Sequence, residues 1–75
     1  MILPDKNIKL EYSLLNCGAL ILEELDEPLT VSALWERVKE KEIFVGYEKF
    51  ILTIDYLYTL NCIYDINGLI GRYKV

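Results

Sequence analysis

Asn67-Gly68 stands between two runs of alternating apolar residues, and no other dipeptide in the chain restricts its fold as much. A two-residue type I′ turn needs a positive φ at both positions, which Asn and Gly adopt at low cost, so the pair closes a β-hairpin. Cys62 to Ile66 and Leu69 to Val75 then read as strands. The turn also sets the register, with Ile66 opposite Leu69 and Tyr64 opposite Gly71. Cys62, Tyr64, Ile66, Leu69, Tyr73 and Val75 share one face. Ile63, Asp65, Ile70, Arg72 and Lys74 share the other, where Asp65 and Arg72 are diagonal neighbours.

Helical spacing dominates the chain before that hairpin. Leu14, Leu15, Gly18, Ile21, Leu22 and Leu25 form one stripe and predict a first helix from Glu11 to Leu25, with Tyr12, Asn16 and Glu23 opposite. Gly18 within the stripe costs about 1 kcal/mol of helix propensity against Ala, so its use is to let another helix come close. Ahead of this helix, Pro4 predicts an extended or irregular arm over Met1 to Lys9, with Ile2 and Leu3 as anchors. Pro28 stops helix 1 at Asp26-Glu27, and Leu29 is placed to pair with the later hairpin. Thr30 is an N-cap for a second helix carrying Val31, Leu34, Trp35 and Val38 on its apolar side, with Trp35 as a core anchor. After a knot of Ile43, Phe44 and Val45, a third helix is expected over Tyr47 to Leu60. Phe50, Ile51, Ile54, Leu57 and Tyr58 face its core side, and Asn61 suits the left-handed position that ends it.

Three helices followed by a C-terminal hairpin make a mainly α fold with a small β wing, a winged helix-turn-helix. The expected organisation is an N-terminal arm over 1–10 and the winged helix-turn-helix domain over 11–75. At 75 residues the chain is one domain. It is 53% hydrophobic, high for so small a body, so apolar surface is expected to remain for a partner to cover. A second copy of the chain is one such partner.

Charge conflicts with the fold. The net charge is −4, whereas affinity for nucleic acid comes from Lys and Arg displacing counterions from phosphates. The would-be recognition helix opens Tyr47-Glu48-Lys49-Phe50, with Leu52, Thr53 and Tyr56 next along its expected outer side. Base reading needs Arg, Lys, Asn or Gln there. A DNA reading therefore rests on Lys49 with Arg72 and Lys74 of the wing. Arg37, Lys39 and Lys41 are interleaved with Glu36, Glu40 and Glu42, as on a solvated face. A protein-docking reading rests on Leu52, Tyr56 and Thr59, which point away from the core side of helix 3, together with Tyr47 and the aromatic residues of the wing.

Other chemistry is sparse. There is no His, no Gly-rich phosphate loop and no nucleophile elbow, so an enzyme is not expected, and neither is a cofactor. Glu23-Glu24 and Asp26-Glu27 fall at a helix C-terminus, where the dipole disfavours further negative charge, so they read as a solvated turn and no metal site is assigned. Cys17 and Cys62 read as small buried hydrophobes in a reducing compartment. No signal peptide is visible, and the apolar run Cys17 to Leu22 is too short to span a bilayer, which makes cytoplasmic residence the default.

Several segments carry a resemblance. They are Leu3-Pro4-Asp5-Lys6, Ser13-Leu14-Leu15 with Gly18-Ala19, Pro28-Leu29-Thr30-Val31-Ser32 with Leu34-Trp35, and Phe50 with Ile54-Asp55, Leu57-Tyr58 and Leu60. The arm joined to the Ser-Leu-Leu helix is the most telling, because a generic winged helix has no reason to carry it. With these residues the chain resembles the small middle components of bacterial ABC-three-component systems. The resemblance implies an adaptor between an ABC-type ATPase, related to DNA-repair and chromosome-structure ATPases, and an effector-bearing protein, in a conflict system directed against phage or plasmids. It carries over no catalytic residue. The alternative is a small dimeric winged-helix DNA-binding regulator, and a third arrangement is an adaptor that helps the ATPase contact DNA without reading sequence.

Overall fold

A computed structural model describes residues 6–41, 44 and 46–73, with side chains from Tyr12 onward. Helices α1 (Lys6–Glu24), α2 (Val31–Val38) and α3 (Tyr47–Thr59) precede strands β1 (Ile63–Ile66) and β2 (Leu69–Arg72). This is the mainly helical, winged-helix-type arrangement that the sequence predicts. The expected anchors Ile2 and Leu3, the knot residues Ile43 and Val45, and Lys74 and Val75 lie outside the described residues.

Helix α1 starts earlier than its apolar stripe suggests. Lys6 to Leu10, which the sequence reading gave to the arm or left outside the helix, form its first turns. Pro4 restricts itself and Leu3, but no Gly or Pro follows until Gly18, so helix propagates back at little cost. The buried side is also rotated from the expected one. Leu14, Cys17, Ile21 and Leu25 are buried, while Leu15 is 53% exposed and Leu22 is half-buried. Two overlapping stripes share Leu14, Gly18, Ile21 and Leu25, and the approach of α3 selects the one containing Cys17. A Cβ on Gly18 would stand 2.9 Å from Leu57 Cδ2, so the missing side chain sets how near the two helices pass.

The C-terminus of α1 is closed from two directions. Arg37 Nη1 donates to Glu24 O at 3.2 Å, and Arg72 Nη1 donates to Leu22 O at 3.0 Å. These guanidinium bonds cap the carbonyl end of the helix, Leu22 O also accepting from Leu25 N at 3.2 Å. Thr30 caps α2 as expected, its Oγ1 accepting from Ala33 N at 3.1 Å. Leu34 and Val38 are fully buried. The half-buried Trp35 ring lies 5.2 Å from Phe50, and Phe44 completes that cluster at 6.3 Å from Phe50.

Helix α3 ends in a Schellman motif. Asn61 takes φ 58, its N–H donates to Tyr58 O, and the Cys62 N–H reaches back to Leu57 O at 2.9 Å. This turn delivers the chain directly into β1. Asn67 (φ 54) and Gly68 (φ 79) form the tight turn, and the register pairs Ile66 with Leu69 and Tyr64 with Gly71. Leu29 makes an antiparallel bridge to Ile70, with bonds of 2.9 and 2.7 Å, which ties the α1–α2 connector to β2. The strands are shorter than the alternation suggested, although Tyr73 N still donates to Cys62 O. Ile63 and Ile70 are buried, so their face meets the helices. Tyr64, Ile66, Leu69 and Tyr73 are on the outer face, where the Tyr64 ring lies over the bare backbone of Gly71 and 5.1 Å from the Tyr73 ring.

Candidate functional site

Two sides of α3 separate cleanly. Phe50, Thr53, Ile54 and Leu57 are buried. Glu48, Leu52, Asp55 and Thr59 recur at spacings of four, three and four residues, which places them in one stripe on the opposite side. All of them are exposed, Leu52 at 45%, and half-buried Tyr56 flanks the stripe. The structure thus brings together Leu52, Tyr56 and Thr59 as the sequence reading grouped them. Thr59 Oγ1 donates to Asp55 O at 3.0 Å, so its hydroxyl is turned back onto the helix. Tyr47 sits apart, on the flank toward α2, its ring edge-on to Trp35 at 5.2 Å and 5.7 Å from Phe50. Although 49% exposed, it serves as a lid on the aromatic cluster.

Thr53 corrects the sequence reading. It was expected along the outer side with Leu52 and Tyr56, yet it is fully buried. Its Oγ1 donates to Lys49 O at 2.8 Å, and this back-bond removes the cost of burying a hydroxyl. A small side chain is what the crowded inner side of α3 accepts at that position.

The residues proposed for nucleic acid are occupied within the fold. Lys49 Nζ donates to Ser13 Oγ, so the ammonium leans toward α1 and away from the outer stripe. Arg72 Nη1 is held on the end of α1. Lys74 lies outside the described residues. The cations of α2 are likewise engaged. Arg37 lies 3.9 Å from Glu27 Oε1 in addition to its bond to Glu24 O, and Lys39 pairs with Glu36 at 2.6 Å. The Glu36 hydrogen bond and charge raise the Lys39 pKa above its ordinary value.

The sequence already places Asp55 beside the outward residues of this helix and Glu48 at its exposed start, and both are exposed in the structure. Their spacing with Leu52 and Thr59 sets the two carboxylates in one stripe with those residues. Other apolar groups are exposed elsewhere: Tyr12 and Leu15 on α1, and Ile66, Leu69 and Tyr73 on the wing. A cleft between the α1 stop and the wing is lined by Asp26, Glu27, Pro28, Tyr64 and Arg72. Near the end of α3, burial first and then the charge of Asp65 raise the Tyr58 pKa above its ordinary value. Cys17 is buried, as read from the sequence, and Cys62 is half-buried. No described helix is long and apolar enough to cross a membrane.

The class of protein is therefore a three-helix winged-helix-type domain whose third helix presents an acidic and apolar outer face. The chain matches the family model of the ABC-three component (ABC-3C) system Middle Component 6 over residues 3–70, and it belongs to that family. The match takes in all three helices, β1 and the start of β2. A middle component belongs to a multi-component system, so the chain has protein partners. Comparisons with curated proteins and with solved structures gave no match.

Proposed function

We propose that this chain is a non-catalytic, cytoplasmic adaptor that couples an ABC-type ATPase to an effector protein in a bacterial defence system. The observation that carries this reading is the outer stripe of α3. In a winged helix that stripe occupies the position of a recognition face, and here it presents Leu52, Tyr56 and Thr59 between carboxylates. A groove of phosphates would repel it, whereas the apolar core of a protein interface would cover it. Family membership supplies the multi-component setting.

The test is co-purification from the native operon. Leu52→Asp and Tyr56→Ala should fold as the parent does and lose the neighbouring proteins. Recovery of those proteins at parental yield would remove the adaptor reading at this face. The competing reading, a dimeric DNA-binding regulator using Lys49, Arg72 and Lys74, draws on the winged-helix arrangement itself. It requires duplex binding that weakens by about tenfold or more over a fourfold rise in salt. Because Lys49 and Arg72 already hold acceptors of the fold, no duplex binding is expected at low salt.

A further inference from the structure

The outer stripe of α3 carries two carboxylates that no described residue pairs with. Among the described residues, neither Glu48 nor Asp55 forms an ion pair. Neither has a Lys or Arg three or four residues away in the sequence, where Phe44, Val45, Ile51, Leu52, Tyr58 and Thr59 fill those spacings. Glu48 has a partial explanation, because it lies in the first turn, where the helix dipole favours a carboxylate. Asp55 has none. It stands in the middle of α3, where Asp is among the poorer helix formers. It does not serve a neighbouring element either, because its side of the helix is exposed. Lys49, the cation next to Glu48 in the sequence, is turned toward Ser13.

We infer that the surface docking on α3 is a cationic protein surface, with two Lys or Arg side chains about 10 Å apart along the helix direction and an apolar side chain between them to meet Leu52 and Tyr56. Covering Leu52 removes water from both flanking carboxylates, and an unpaired charge at an interface is costly unless the partner supplies the opposite one. A second copy of this chain is the wrong occupant for the same reason. Two such stripes face to face would set carboxylate against carboxylate, within a chain whose net charge is already −4. The inference rests on the adaptor reading and specifies the chemistry of its partner.

The experiment uses the full chain co-expressed with the ATPase and effector proteins encoded beside it, with affinity measured by titration at low and high salt. The variants are Leu52→Asp, the charge-reversed Glu48→Lys/Asp55→Lys and the neutral Glu48→Gln/Asp55→Asn. The expected result is affinity that falls as salt rises, at least about tenfold weaker binding after charge reversal, and a smaller salt dependence for the neutral pair. Parental affinity of the charge-reversed chain, with Leu52→Asp still defective, would overturn the cationic partner and leave the adaptor reading in place. Parental affinity of all three variants, or no binding by the parent chain, would overturn both. A dimer of the parent chain that charge reversal dissociates would also overturn the inference, by naming the second copy as occupant.

Discussion

Along the inner side of α3, Phe50, Thr53, Ile54 and Leu57 are at most 5% exposed, and Phe50, Ile54 and Leu57 belong to the hydrophobic core. Along the outer side, one or two residues removed, Leu52 is 45% exposed and Asp55 and Thr59 are open to solvent. The inner side follows from packing: Gly18 lets α1 come close to Leu57, and Thr53 satisfies its own hydroxyl. Packing accounts for nothing on the outer side. The exposed Leu gains little from burial, and the mid-helix Asp, without an ion pair among the described residues, is a poor helix former. The difference teaches that packing constrains one side of α3, and the proposal assigns the other side to a partner.

The sharpest way to break this comparison is to place the same charge on neighbouring residues. Thr53→Asp buries an unpaired carboxylate and should cost about 3–5 kcal/mol, measured by chemical denaturation, which is enough to unfold much of a small domain. At Gly18 the expected loss is smaller. Gly18→Val drives a branched side chain into Leu57 and should cost about 1–3 kcal/mol by overpacking, with part of it recovered in Gly18→Val/Leu57→Ala. Tyr58, on the flank between the two sides, gives a pH effect. Its folded pKa is raised above 10.0, mainly by burial and then by Asp65. The unfolded chain therefore releases that proton first, so stability is intact below pH 10 and declines as pH rises through the folded pKa. The decline should be shallower in Tyr58→Phe, as followed by thermal melts across alkaline pH. Smallest of all, Leu52→Asp should change stability by no more than about 0.5 kcal/mol, although it sits beside the most sensitive position on the helix.

Much of this architecture is legible in the residues themselves. Asn67-Gly68 specifies its turn and register, Thr30 its cap, Asn61 the end of α3 and Leu29 the bridge to the wing, because each depends on local backbone chemistry. What depends on the neighbour is harder to see. Leu15 and Cys17 compete for the buried side of α1, and only the approach of α3 at Gly18 decides between them. Thr53 reads as polar and therefore outward until its back-bond to Lys49 O is seen. Arg72 and Lys49 look like free cations in the sequence, because a capped carbonyl at Leu22 and a hydroxyl at Ser13 lie far away along the chain. The outer stripe itself was legible in the spacing of Leu52, Tyr56 and Thr59 beside Asp55.

Carboxyl footprinting of the chain, free and in complex with the neighbouring proteins, tests the outer face most directly. The account predicts that Glu48 and Asp55 lose labelling on complex formation while Glu36 and Glu40 on α2 and its end keep theirs. Equal labelling of Glu48 and Asp55 in the free chain and the complex would contradict it.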